Sequence, residues 1–215
     1  MSTAAFVRAE GVLVDRPAVA CAGWLAANAL APAERALRLG GVALSVPLWL
    51  SGDAAAGTRL AWSALRGTTV DRLEVLGLEY WEARVLPRLS RLGLDLCERA
   101  RAAGHRLVVV TDLPEPVGRH LGQHLRVDAL VCNHLEARSN RLTGRLLDPL
   151  ASAFGGAALR GLAERNGYDL GSSAAYGSAA GDAVLLSGIG RPCVVAPDRG
   201  LRRLARDLDW PVVEA

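Results

Sequence analysis

The sequence predicts an α/β protein, a parallel sheet with helices on both faces, and three observations predict it. Beyond residue 105, short β-branched runs alternate with helical stretches, the rhythm of strands joined by crossover helices. One apolar run, Ala4 to Val7, stands alone near the start. Between the two lies a helical block, about Pro17 to Ala103, too long for a crossover. It reads as an all-helical insertion over the carboxyl ends of the strands, where sheets of this kind bind their ligands.

Taken in order, Ala4–Val7 is a buried strand and Gly11 a turn before Val12-Leu13-Val14. Pro32, Pro47, Gly52, Gly67 and Pro87 divide the helical block into four or five helices. Breaks are expected near Gly40–Gly41 and Ser51–Gly52, and the apolar stretch Leu39–Leu50 between them is expected as a buried helix, with an interfacial surface as the alternative. Arg88–Ala103 carries Leu89, Leu92, Leu96, Cys97 and Ala100 on one stripe and ends at Gly104. Then follow a strand at Arg106–Val110, a helix at Pro114–His124 and a strand at Ala129–Cys132. A hairpin spans Leu135–Leu146, turning at Ser139–Asn140. A helix at Gly155–Asn166, a strand at Ala174–Tyr176 and a helical turn at Asp182–Gly188 come next. The chain closes with a strand at Pro192–Ala196, a helix at Leu201–Leu208 and a strand at Pro211–Val213.

Composition excludes several functions. Net charge is +3, from 25 basic and 22 acidic residues that are well mixed; nucleic-acid binding would show as a basic stripe. Every basic residue is arginine, so chemistry that needs a lysine amine is excluded. Cys21, Cys97, Cys132 and Cys193 are far apart, which points to reduced thiols in a cytoplasmic protein and against a metal site. The apolar content of 51% is high, yet Leu39–Leu50 is only about half the length of a membrane span, and the N-terminus has no signal-peptide pattern. His120 and His124 are four apart on one helix, a zinc-compatible spacing with no supporting motif; a solvated face is the expectation.

Several short motifs in order resemble the haloacid dehalogenase (HAD) superfamily, in particular its phosphoserine-phosphatase-like branch with a helical cap after the first strand. They are Ala64-Leu65-Arg66-Gly67 with Tyr80-Trp81 and Val85-Leu86-Pro87-Arg88, then Ala103 to Thr111, Leu142-Thr143-Gly144, Tyr176 to Asp182, and Pro197-Asp198-Arg199-Gly200-Leu201. The resemblance covers nearly the whole chain. It implies a HAD-like Rossmannoid core of residues 1–16 and 88–215, with a cap of residues 17–87.

That family's chemistry uses an aspartate nucleophile at the end of the first strand, an acid two residues on, a Ser or Thr, a Lys, and acidic Mg²⁺ ligands in the fourth motif. Such reactions depend on positioning and charge neutralisation. The family's first motif, Asp-x-Asp-Gly-Thr-Leu, falls on Arg8-Ala9-Glu10-Gly11-Val12-Leu13, with Gly11 and Leu13 fixing the register. The nucleophile position is therefore Arg8, whose guanidinium stays protonated, and the acid position is Glu10. Thr111 keeps the hydroxyl, the lysine position falls near Ala158 with Arg160 close by, Ser178 stands where an acid is expected, and Asp182 remains. The implied Mg²⁺ site is impaired, and no metal ligand is assigned.

These substitutions point to a pseudo-phosphatase that works by binding. Arg8 is expected to pair with Glu10 or Asp182, and Arg8, Glu10, Thr111, Arg160, Ser178 and Asp182 are the candidates for holding an anion or other ligand. Two alternatives stay open: acid–base chemistry through Glu10 or Asp182, and residual phosphatase activity through Asp112 or Asp182. Asp112 is expected first as the cap of the helix at Pro114. Trp24, Trp49, Trp62 and Trp81 are expected as cap core, or else as a surface for a hydrophobic ligand or protein partner.

Overall fold

The protein is described from a computed structural model, which covers residues 2–15, 18–29, 31–50, 53–147 and 151–214. Six parallel strands form the main sheet in the order β3-β2-β1-β6-β7-β8. They are β1 (Ala4–Arg8), β2 (Arg106–Pro114), β3 (Ala129–Asn133), β6 (Ala174–Gly177), β7 (Arg191–Val195) and β8 (Val212–Val213). A separate antiparallel pair, β4 (Leu135–Arg138) and β5 (Arg141–Leu146), turns at Ser139 and Asn140, both at positive φ, the conformation a two-residue hairpin turn needs.

Every residue of β1 is buried, as expected of a central parallel strand. Its side chains alternate between two clusters. Ala5 and Val7, with Leu107 and Val109, face α5 (Arg91–Ala102), α6 (Glu115–Leu125) and the helices that follow β1. Ala4 and Phe6, with Val108 and Val110, face α7 (Gly156–Asn166), α8 (Ala183–Leu186) and α9 (Arg199–Asp207). The chain winds from β1 out to β3 on one side and from β6 out to β8 on the other, so β1 and β6 flank the switch point.

Between β1 and β2 lie α1 (Ala18–Ala27), α2 (Pro32–Leu50), α3 (Ala54–Ser63) and α4 (Val70–Tyr80), then a π turn at Trp81–Val85. Trp62, Leu65, Leu25 and Tyr80 belong to the same buried cluster as Val7 and Val109, so these helices share one core with the sheet. Trp24 packs against Tyr80 with ring centroids 5.3 Å apart. Trp81 meets His120 and His124, its ring 6.4 and 5.5 Å from theirs. The histidine face of α6 is therefore a packing contact, with His120 half-buried and only His124 exposed.

Three local expectations change. No break occurs at Gly40–Gly41, because α2 runs unbroken from Pro32 to Leu50 with Pro47 inside it. Gly41 instead admits close packing, since a Cβ there would lie 3.2 Å from that of Ala64. The break expected at Ser51–Gly52 lies outside the described residues. Nor is Leu39–Leu50 a buried helix: Leu44 is 69% exposed and Leu39 and Val46 are also exposed, while Val42 and Ser45 turn inward. Finally, β2 runs four residues past Val110. Its pairing with β3 shifts register between Val110 and Pro114, and contacts from Glu10 and Asn133 hold that extension.

Two glycine substitutions are expected to act with opposite sign. A Cβ on Gly93 of α5 would stand 2.3 Å from the backbone oxygen of Val12, so Gly93→Ala should lower stability by about 1–3 kcal/mol. Gly40 has nothing within 4 Å of such a Cβ, so Gly40→Ala should raise stability by roughly 0.5–1 kcal/mol. Urea-unfolding midpoints measure both.

Candidate functional site

The site forms where β1 ends at the switch point. Arg8 is the last residue of β1, paired in register with Val110 of β2, and it is only 6% exposed. Its Nη2 lies 2.6 Å from Asp112 Oδ2 and 3.4 Å from Glu10 Oε2, and its Nε lies 2.8 Å from Asp182 Oδ1. Nη1 donates to the carbonyl of Ala151 at 3.1 Å. One guanidinium is thus enclosed by three carboxylates and a backbone carbonyl.

Each carboxylate is fixed by its own local structure. Glu10 follows β1 into a tight turn at Gly11, whose φ is +81°. A side chain at Gly11 would also collide with Ser178, 2.6 Å from a built Cβ, so only glycine brings Glu10 back over the strand end. Glu10 Oε1 accepts from the Thr111 hydroxyl at 2.7 Å and from the Asp112 N–H at 2.9 Å. Asp182 Oδ2 accepts from the N–H groups of Ser178 and Ala179, tying the loop after β6 to the start of α8. Asn133, fully buried at the end of β3, donates to the Asp112 carbonyl and accepts from the Ala151 N–H.

Burial works against the charge of Arg8, but Asp112, Asp182 and Glu10 outweigh it and hold its pKa above the ordinary value. Burial acts on Glu10 in the other direction. It pushes the carboxyl up to about 7, against the pull of Arg8 and with the added repulsion of Asp112.

Six of the candidate residues converge here: Arg8, Glu10, Thr111, Asp112, Ser178 and Asp182. Arg160 does not; it lies on the exposed face of α7 and is absent from the lining of the neighbouring cavity. Asp112 does not cap the next helix, because α6 begins after Pro114 with no side-chain cap. The ion pair with Arg8 has taken its side chain instead. Ser178 Oγ donates to the carbonyl of Ala196 at 3.2 Å, binding the fourth-motif loop to the end of β7. Sequence reasoning missed Asn133, whose signal was a lone amide closing an apolar strand. It also missed Asp15 and Ser152, for which no local signal existed.

A cavity of about 560 Å³ opens beside the cluster, lined by Arg8, Glu10, Asp112, Asp182, Ser152 and the Ser178–Gly181 loop, with Trp49 of α2 also in its wall. The divalent ion implied by the family resemblance does not fit this donor set. The Arg8 guanidinium stands among the carboxylates that would be its ligands. Among the described residues no group of three or more His, Cys, Asp or Glu is arranged to hold a metal.

The raised Glu10 pKa sets a pH dependence. In the unfolded chain this carboxyl titrates near 4.5, and in the folded protein near 7. The folded state therefore binds more protons between those values, and stability falls as pH rises through that window, by at most about 1.4 kcal/mol per pH unit. Urea unfolding is expected to give a higher midpoint at pH 5 than at pH 8, with Glu10→Gln flattening the difference.

Comparison with known proteins agrees with this fold. The profile of haloacid dehalogenase-like hydrolases matches residues 13–187, a span that begins after Arg8 and Glu10. The phosphoserine phosphatase SerB1 of Mycobacterium tuberculosis is 29% identical over 163 residues, covering 75% of this chain and 53% of that protein. The inhibition of morphological differentiation protein of Streptomyces azureus is 29% identical over 150 residues, covering 69% of this chain and 54% of that protein. The chain thus spans about half the length of the curated relatives it matches. Among solved structures, a protein of unknown function from Bordetella pertussis Tohama I superposes with a TM-score of 0.84 at 22% identity, covering 99% of this chain and 98% of that one. A substrate-bound phosphoserine phosphatase superposes at 0.71 and 16% identity, covering 94% and 90%. With its doubly wound sheet, its helices after the first strand and a profile match over most of its length, the chain belongs to the haloacid dehalogenase-like hydrolase family.

Proposed function

We propose that this chain is a catalytically degenerate family member that works by binding, taking a partner protein or a small molecule into the cavity beside Arg8. In this reading residues 17–87 act as a cap over a core of residues 1–16 and 88–215. The observation that carries it is the state of Arg8. A guanidinium cannot attack phosphorus, and this one is held by Asp112, Asp182 and the Ala151 carbonyl. The Thr111 hydroxyl, which the family turns to the phosphoryl group, is given to Glu10. The chain has no lysine at all. The four free cysteines support a reducing, cytoplasmic setting, and no helix among the described residues is long and apolar enough to cross a membrane.

A second reading has one specific observation in its favour. Glu10, with a pKa near 7 and in the cavity wall, has the proton affinity that acid–base catalysis at neutral pH needs. Asp182 is the weaker candidate for that work, since both its oxygens are engaged.

A phosphomonoester hydrolysis assay tests the proposal, run with and without Mg²⁺ on the wild type and on Arg8→Asp. Loss of a nucleophile costs on the order of a million-fold in rate, so the wild type should be inert under both conditions. Arg8→Asp should stay inert as well, because Ser178 and the missing lysine are unchanged; a thermal melt reports whether it folds. Metal-dependent turnover by the wild type would sink the binding-protein reading.

A further inference from the structure

We propose that the cavity beside Arg8 binds a small organic cation, an ammonium group on a hydrocarbon body, and not a phosphate ester. This deepens the binding-protein reading and rests on it. Among the described residues, the cavity wall holds the carboxylates of Glu10, Asp15, Asp112, Asp182 and Asp198 against the single cation Arg8. Arg8 is already engaged by three of them and by the Ala151 carbonyl. An entering anion therefore meets a negative field and, among the described residues, no uncommitted cation.

A second observation, independent of the acid count, is a set of unpartnered buried atoms on the wall residues, the carboxylate oxygen Asp112 Oδ1 together with the hydroxyl of Ser152 and the indole N–H of Trp49. Asp112 is only 3% exposed; its Oδ2 is held by Arg8, while its Oδ1 has no hydrogen-bond partner, and Glu10 Oε2 has only the 3.4 Å ion pair with Arg8. A buried carboxylate oxygen without a donor costs the desolvation of that group. An ammonium relieves this cost, having three donors and no acceptor. The rest of the wall suits a hydrocarbon body: Trp49 and the small residues Ala18, Ala179 and Ala180. An indole also attracts a cation over its face. Trp49 is held close over Gly57 of α3, where a built Cβ would come within 2.4 Å of the indole ring. A cavity of about 560 Å³ is within the usual range for small-molecule sites.

The test is calorimetric titration of the whole chain with cadaverine at low salt, with inorganic phosphate and Mg²⁺ titrated separately. Cadaverine should bind saturably, and phosphate should not. Asp112→Asn should weaken cadaverine binding by more than about tenfold, as expected of a buried charge pair. Asp15→Asn, at an exposed position, should weaken it about threefold and keeps the test alive if Asp112→Asn fails to fold. Glu164→Gln, on the exposed face of α7, should change nothing. Absence of saturable cadaverine binding, equal weakening by Glu164→Gln, or saturable phosphate binding overturns the inference. An inert phosphatase assay with no cadaverine binding removes this inference alone, whereas phosphomonoester turnover removes the reading beneath it.

Discussion

A guanidinium buried at the end of the central strand is the constraint on which the rest of the site depends. An unpaired ion in that position would be strongly unfavourable, so the surrounding chain is arranged to supply oxygens. Asp112 comes from an extension of β2 past its ladder, Glu10 from a turn that only Gly11 permits, Asp182 from the loop after β6, and Ala151 from the segment before α7. Segments more than 170 residues apart in sequence, from Arg8 to Asp182, meet on one side chain. A buried ion pair is weak grounds for net stability over an apolar replacement, but removal of one partner leaves charges unmatched at a cost of about 3–5 kcal/mol. Arg8 therefore fixes the geometry of the strand ends whether or not it adds to stability.

The same cluster is unbalanced, and the imbalance shapes its chemistry. Three carboxylates face one cation, and burial raises the proton affinity of Glu10. With Glu10 protonated the cluster carries one net negative charge, and with it ionised two. Both oxygens of Asp182 are engaged, one by two backbone N–H groups and the other by Arg8. The free capacity of the cluster lies on Asp112 Oδ1, an acceptor, so its unmet demand is for a donor.

Much of this was legible in the sequence. The β-branched run Arg106–Val110 and the isolated Ala4–Val7 defined the central strands, and Gly11 with Leu13 placed Arg8 and Glu10 at the strand end beside Thr111 and Asp182. Asp112 was misread because a local rule, an acid just before a helix, competed with a partner 104 residues away. Only the parallel pairing of β1 with β2 brings that partner near, and no local window contains it. Arg160 failed for a related reason: proximity in sequence to the lysine position says nothing about which face of α7 a side chain takes. Leu39–Leu50 was misread because its apolar content was counted without its phase. Val42 and Ser45 turn inward, while Leu44 and Val46 turn to solvent.

That last point bears on the cavity. Along α2, only Arg38, Val42 and Ser45 are buried among the residues whose burial is described, yet the helix carries Trp49 into the cavity wall. This helix packs on α1 and α3 and sends Val42 into the main core, whereas the opposite wall is built on β1, β2 and β6, whose inner residues are wholly enclosed. The two sides of the site thus differ in kind. The acidic side is set by the ion cluster at the strand ends, and the indole side by a helix packed on α1 and α3. A ligand that fills the cavity and touches Trp49 bridges that helix to the strand ends. Selectivity for the charged end of a ligand is therefore set by the strands, and contact with its apolar end by Trp49 on α2.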